Sequence, residues 1–533
     1  MTTWLKDAII YQVYPISFYD SDGDGIGDLR GIVQKLPYIK DLGANTVWLN
    51  PIYKSPFKDG GYDISDYYSV DKRFGDIADF DALVAEAKRL GLRIIMDMVL
   101  GHTSDKHPWF LKSGEFERNE MLDRYIWTDN IFHKYRDISI HGLYERNGGY
   151  IINYYANQPA LNFGFNSIRE QGGAKGAYDG DDSFKMRYDD ERLIPLREEV
   201  LNIMRFWLNR GIDGFRVDLA NSLVKGCRPN SENDEELKGL IWLWNKLIPS
   251  LKKDFPEACF IAEWVYPKNS VGKCCFDLDF LTHDTPQWNM LVRNEKNTNL
   301  LPAFEQGDNY FSANGRGSIE QFVLMAEEFD NKLEGKGFYS VPTGSHDEIR
   351  VSEAKDPEVL KTLFAFLLTF KHVPTLYYGD EIGMTHLFNI NKDGGYIRTG
   401  ARTPMQWDEK VNKGFTKNAQ PYIQMGNADT SVEKQAKEPD SLYHFVKKLI
   451  TMRKKYPCLN ASGGIEYIER GYPLTYFRSG GGIKMFVALN PGSEEKEIEL
   501  PQIQKILLKY NCEISNNNVS LKAQSVFIAL CRA

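Results

Sequence analysis

Two histidines, one arginine and three carboxylates stand where short apolar runs end. His102 closes LRIIMDMVLGH (92–102), Arg216 and Asp218 fall near the end of GIDGFRVDLA (211–220), and Glu263 near the end of CFIAEW (259–264). His346 and Asp347 share FYSVPTGSHDE (338–348). One carboxylate in such a place is commonly a helix cap or half of a salt bridge. Three of them with two histidines, spread over four runs and all near the same end, call for a common reason. Grouped carboxyls suit cleavage of a glycosidic bond: one protonates the leaving oxygen while another meets the anomeric carbon. The acid needs a raised pKa, and its ionised partner needs a cation close by. Arg216 and Asp218 are i and i+2, so both face one side of a strand. Spacing alone leaves open which carboxyl plays which part.

Bringing these groups together takes strands that end on one rim. AIIYQVYPISF (8–18), ANTVWLNPI (44–52) and LRIIMDMVLGH read as buried strands. GIDGFRVDLA, CFIAEW, FYSVPTGSHDE and VPTLYYGDEIG (373–383) continue the series, and CFDLDFL (275–281) supplies an eighth. Amphipathic helices alternate with them at 29–43, 76–91, 194–211, 234–253, 318–334, 356–371 and 440–455. Such alternation means α/β architecture with a parallel sheet, most economically a closed (β/α)8 TIM barrel with its site at the C-terminal strand ends. No glycine-rich dinucleotide fingerprint follows the first strand, which counts against an open doubly wound sheet. The barrel is expected in residues 1–103 and 176–457, with a loop-rich inserted domain at 104–175 and a long loop at 384–435. From residue 458 the short β-type runs change character and predict a C-terminal antiparallel β-sandwich, 458–533.

The net charge of −8, with no basic run, argues against nucleic acid or an anionic membrane as the main partner. Aromatic residues, 13% of the chain, offer faces on which sugar rings stack. There is no run of 18 apolar residues and no basic stretch leading into an apolar one, so neither a membrane span nor a secretion signal is expected. Seven cysteines without a CxxC pair fit a reduced compartment, and the cytoplasm is the expected location.

The segments DMVLGHTSDKHPWF, GFRVDLA, FIAEW and SHDEIR resemble, in order, the four signature regions of the α-amylase superfamily, glycoside hydrolase family 13. DGDGIGDLRGI, QPALN and ARTPMQWD narrow the resemblance to its oligo-1,6-glucosidase/α-glucosidase branch. The resemblance implies a retaining, exo-acting α-glucosidase that removes terminal glucose from short α-gluco-oligosaccharides. In that pattern Asp218 is the nucleophile, Glu263 the general acid/base, and Asp347 the third carboxylate. His102 and His346 are implied as hydrogen-bond donors to the same sugar, and Arg216 as the partner of the nucleophile. Within DGGYDISDY, Asp59 would bind the outer hydroxyls and Tyr62 would stack on the ring; Arg402, with Arg398 nearby, would join them. The chain departs from the pattern at Gly101 and Ser345, where the family usually has Asn, and at Ala160 in QPALN, where it has an acid. Leu219 is bulkier than the Ala that follows the nucleophile in maltose-preferring members, which leans towards a linkage other than α-1,4.

The DxDxDGxGD stretch offers Asp20, Asp22, Asp24, the Ile26 carbonyl and Asp28 as oxygen ligands on a glycine-assisted turn, the donor set a hard cation wants. It resembles the branch's Ca2+ site, remote from the chemistry, with Mg2+ as the alternative ion. Two other readings compete. A trehalose- or sucrose-rearranging enzyme would form the same covalent intermediate and pass the glucosyl group to a sugar. An inactive barrel-containing partner of a membrane transporter would lack the catalytic carboxylates, and this chain keeps all three.

Overall fold

The computed structural model describes the chain except residues 1, 129–137, 169–183, 283–284, 293–308, 314, 419 and 533. Eight parallel strands alternate with helices: β1 (Ile10–Val13), β2 (Thr46–Leu49), β3 (Arg93–Val99), β4 (Gly214–Asp218), β5 (Cys259–Ala262), β6 (Leu278–Phe280), β7 (Phe338–Ser340) and β8 (Thr375–Tyr377). Their hydrogen-bonded order runs β7-β6-β5-β4-β3-β2-β1-β8. The ring closes where Pro342, just past β7, bridges Thr375 in parallel, and where the Ser340 and Thr375 hydroxyls meet at 2.9 Å. The protein is therefore a (β/α)8 barrel.

Around it, among the described residues, lie α1 (Leu29–Leu42), α2 (Ile77–Leu90), α3 (Ile194–Asn209), α4 (Asp234–Asp254), α5 (Pro267–Cys274), α6 (Glu320–Leu333), α7 (Pro357–Thr369) and α8 (Leu442–Lys455), with a shorter helix at Pro286–Val292. Their ends follow local chemistry. Asp28 caps α1 by accepting from the Gly31 amide at 2.7 Å, and Asp76 with Asp79 forms a reciprocal cap on α2. Gly43 and Gly91 end these helices in the left-handed conformation.

Period-two alternation divides the strands between two environments. Tyr11, Val47, Ile94, Met96, Phe215 and Phe260 face the helices. Ile10, Trp48, Ile95, Cys259, Ile261 and Leu278 fill the lower interior of the barrel. Towards the C-terminal strand ends the inward residues turn polar: Gln12, Asp97, Arg216 and Asp218, all buried.

The segment after β3 contains a short helix (Pro108–Ser113) and a two-stranded ribbon (Ser139–His141 with Gly149–Ile151). Parts of the expected inserted domain, 129–137 and 169–175, lie outside the described residues. The loop after β8 is built from single-turn helices and one short helix, Val432–Lys437. At the C-terminus six antiparallel strands, β9 (Gly464–Arg470), β10 (Leu474–Gly480), β11 (Ile483–Asn490), β12 (Lys496–Glu499), β13 (Ile503–Ser515) and β14 (Asn518–Cys531), pair around the long β14. Val487, Leu489, Val526 and Ile528 face the barrel core, while Phe486, Ala488, Phe527 and Ala529 alternate into a separate cluster. Among the described residues no helix is long and apolar enough to cross a membrane.

Helix α7 is buried on nearly every side, as a helix enclosed by other elements must be. Two buried arginines terminate it. Arg453, from α8, donates to the carbonyls of Leu368 (3.0 Å), Phe370 (3.1 Å) and His372 (2.5 Å). Arg478, from β10, donates to the Thr369 carbonyl and to those of Asn460 (2.7 Å) and Gly464 (3.0 Å). These cations sit at the negative end of the helix dipole and satisfy carbonyls that no helical partner reaches. Arg478 thereby ties the C-terminal sheet to the barrel. Replacing Arg478 with Met strands these carbonyls and is expected to cost about 2–4 kcal/mol, seen as a lowered melting temperature in circular dichroism. Arg478→Lys, which lacks the planar fork, should recover little of the loss.

Candidate active site

The site grows from one buried cation. Arg216, on β4, points into the barrel and faces Asp97 on β3, its partner in register. Its Nη1 donates to Asp97 Oδ1 at 2.7 Å and to Asp218 Oδ1 at 3.0 Å, and its Nη2 pairs with Glu263 Oε1. Asp97 in turn accepts from the Trp48 indole (3.1 Å), the Asn50 amide (3.1 Å) and the Tyr62 hydroxyl (3.0 Å). Every strand from β1 to β5 thus contributes to one network, since Gln12 donates to Asn50 at 2.9 Å.

Asp218 ends β4, and Glu263 follows β5 directly. Between them, Leu219 has a φ of +40°, an unusual conformation for a residue with a side chain. That turn directs the Leu219 amide at Glu263 Oε2, 2.8 Å away. Val265 is also left-handed, φ +60°, and its cause is visible: Asp279 on β6 accepts from the amides of Trp264, Val265 and Tyr266 at 3.0–3.2 Å. Burial pushes the Asp279 carboxyl up to about 7.

The third carboxylate is held from three sides. Asp347 accepts from Arg402 at 2.8 Å and from Arg398 at 3.0 Å, and lies 3.0 Å from His346 Nε2. Burial alone would raise this carboxyl, but His346, Arg398 and Arg402 outweigh it and hold it well below the usual range. His346 stacks against two tyrosine rings, Tyr62 at 5.2 Å and Tyr14 at 6.1 Å, both nearly parallel to it. The Gln12 amide nitrogen meets its Nδ1 at 2.9 Å, which leaves Nε2 to face Asp347.

Opposite pressures act on Asp218. Burial and the neighbouring Glu263 push its carboxyl well above the usual range, while Arg216 pulls it down.

Above these groups lies a cavity of about 290 Å3 lined by Asp218, Glu263, Asp347, Asp59, Tyr62 and His102, together with Tyr154, Gln158, Leu219, Trp264 and Arg398. Asp59 forms part of its wall, accepting from Arg398 at 3.1 Å and from Gln158 at 2.7 Å. Tyr155 holds the same guanidinium with its hydroxyl at 2.9 Å. Gly60 has a φ of +56°, and a Cβ there would sit 2.8 Å from Arg402 Nη1, so only glycine lets this loop pass over the arginine. The site combines two carboxyls on one guanidinium, a third carboxyl held ionised, and a cavity above them.

The model of the alpha-amylase catalytic domain matches residues 12–172 and 182–462, which include every one of these groups. The chain belongs to the alpha-amylase family. It is a glycoside hydrolase. An oligo-1,6-glucosidase of Parageobacillus thermoglucosidasius is 31% identical over 93% of this chain and 92% of its own length. Among solved structures, a mutant isomaltulose synthase from Erwinia rhapontici NX5 with bound sucrose aligns with TM-score 0.81 and 25% identity over 100% of both chains. The trehalulose synthase MutB of Pseudomonas mesoacidophila MX-45 aligns equally well, TM-score 0.81 and 26% identity over 99% of this chain and 100% of that one.

Within this alpha-amylase barrel the residues singled out in sequence take distinct places. Asp218, Glu263, Asp347, Asp59, Tyr62 and His102 line the cavity. Arg216, His346 and Arg402 are buried behind it, and Arg398 rather than Arg402 reaches the lumen. The Tyr62 ring stacks on His346 and points its hydroxyl at Asp97. In the acidic loop, Asp20, Asp22 and Asp28 bring oxygens within 4.8 Å of one another, while Asp24 accepts from the Ile26 amide and stands apart from them. Asp97, Gln158 and Asp279 are additional to the sequence reading. Asp97 had a signal, since it shares the inward face of β3, whereas Asp279 acts on the loop after the neighbouring strand β5 and Gln158 on a loop far away in sequence.

His107, which caps the helix Pro108–Ser113 through its Nδ1, is pushed by burial down to about 3. Unfolded, it titrates near 6.5. As pH falls through that value the unfolded chain takes a proton that the folded chain refuses, so the stability contributed above it is lost on acidification. His107→Asn keeps a cap acceptor without the titration. Between pH 7 and 5 it should lose less stability than the wild type in parallel thermal melts, and equal losses would contradict this assignment.

Proposed function

We propose that this enzyme is a retaining, exo-acting α-glucosidase that releases terminal α-linked glucose from short oligosaccharides. The observation that carries the reading is the sharing of one buried guanidinium by Asp218 and Glu263 at the floor of a closed pocket with Asp59 in its wall. Glu263, as general acid, protonates the glycosidic oxygen, and the leaving sugar departs. Asp218 attacks the anomeric carbon and forms a covalent β-glucosyl-enzyme. Arg216 keeps Asp218 anionic for that step. Glu263 then takes a proton from water, which attacks the same carbon and restores α-configured glucose. Asp347, His102 and His346 hold the ring hydroxyls, while Asp59 and Arg398 close the pocket behind the terminal sugar. The bulky Leu219 and the oligo-1,6-glucosidase relatives support an α-1,6 preference.

The acidic loop supports a structural divalent cation, Ca2+ or the smaller Mg2+. Oxygens each about 2.3–2.6 Å from a common Ca2+ lie no more than about 5 Å apart, and those of Asp20, Asp22 and Asp28 meet that limit at 4.8 Å. The ion would stabilise the turn into α1 and take no part in the chemistry. The free state of all seven cysteines suits a reducing compartment such as the cytoplasm.

A second reading, an isomerase or transglucosylase, is favoured by the likeness to isomaltulose and trehalulose synthases. Product analysis separates the two. Incubated with isomaltose, maltose, nigerose, kojibiose, sucrose and trehalose, the enzyme should release glucose that NMR first detects as the α-anomer. A rearranged disaccharide without net glucose would favour the second reading, and early β-glucose would remove the nucleophile role from Asp218. Asp218→Asn should lower kcat by at least about 10³-fold. For the cation, Ca2+ added to chelator-treated enzyme should raise the melting temperature, and Asp22→Asn should abolish that rise.

A further inference from the structure

His102 offers two ring nitrogens, and only one can be the donor that a sugar hydroxyl meets. The surroundings decide which. Lys225, on the loop after β4, places its Nζ 2.8 Å from Asn153 Oδ1 and 2.9 Å from the Ser222 carbonyl. An ammonium only donates, so the Asn153 amide must turn its oxygen to Lys225 and its NH2 away from it. That NH2 lies 3.2 Å from His102 Nδ1. Nδ1 is therefore the acceptor, and the ring proton stands on Nε2, which faces the Tyr62 carbonyl at 3.2 Å on the pocket side.

Gly101 makes room for this arrangement. A Cβ there would lie 2.5 Å from the Asn153 Nδ2, so any side chain at residue 101 would displace the amide. Asn153 arrives from the segment inserted after β3, and Lys225 is half-buried with no carboxylate paired to it among the described residues. Burial also holds His102 down to about 4, so the ring is neutral near pH 7 and the choice is between tautomers.

We propose that Lys225, acting through Asn153, sets the Nε2–H tautomer of His102 and so aims its donor at the substrate. Both are positioning residues: neither lies in the wall of the cavity. The kinetic consequence rests on the glycosidase reading, whereas the tautomer does not.

The test is the 15N spectrum of the full-length protein labelled at histidine, with the His102 signals assigned by their loss in His102→Asn. The wild type should show a protonated Nε2 and an unprotonated Nδ1. Asn153→Asp is the same size, but it presents only acceptor oxygens. It should bring a proton to Nδ1 and lower kcat on isomaltose by about 10²-fold or more, with KM moving less. Lys225→Met frees the amide to rotate and should give a mixture of the two tautomers. A wild-type ring protonated on Nδ1, or a ring unchanged in Asn153→Asp, overturns the proposal. If the tautomers behave as stated but the wild type cleaves none of the disaccharides, the glycosidase reading falls and this assignment stands.

Discussion

The arrangement depends on the ion pair between Asp97 and Arg216 inside the barrel. Both side chains are almost completely buried, and neither charge is tolerable there alone. Holding both takes a full complement of partners: an indole, an amide and a tyrosine hydroxyl on the acid, two further carboxyls on the base. The polar layer at the C-terminal strand ends exists to satisfy this pair. Its function follows, because the groups that complete Arg216 are the two carboxyls presented to the pocket.

The barrel supplies the floor and other segments supply the walls. Gln158 and Tyr155 come from the segment inserted after β3, Arg398 from the loop after β8, and Asp59 from the loop after β2. They meet as one hydrogen-bonded cluster although they are hundreds of residues apart. A rigid parallel barrel fixes the reacting groups, and irregular loops adjust what can enter.

Much of this was legible in the sequence because it is periodic or local. All eight expected strands lie where the apolar runs predicted, and α1 and α2 end at the glycines that close their periodic segments. The polar residues at strand ends were legible for the same reason: alternation told which way Arg216 and Asp218 point. What escaped depends on contacts between distant segments. Asp279 looks like one more residue of a strand until its three amide partners on the loop after β5 are seen. Arg398 and Arg402 are four apart in one loop, and nothing in their spacing says that the first reaches the lumen while the second is sealed behind Asp347. Gly101 reads as a departure from the family until the amide occupying its space is found to come from Asn153.

Counting charges in this cluster draws out one more property. Asp59, Asp97, Asp218, Glu263 and Asp347 adjoin Arg216, Arg398 and Arg402. Five carboxyl groups against three guanidiniums leave negative charge in excess. A substrate that is neutral on arrival and positive as its bond breaks meets a potential matched to its change of charge. A phosphorylated sugar of the same shape would enter against that potential throughout, so the pocket sorts its substrates by charge before it sorts them by linkage.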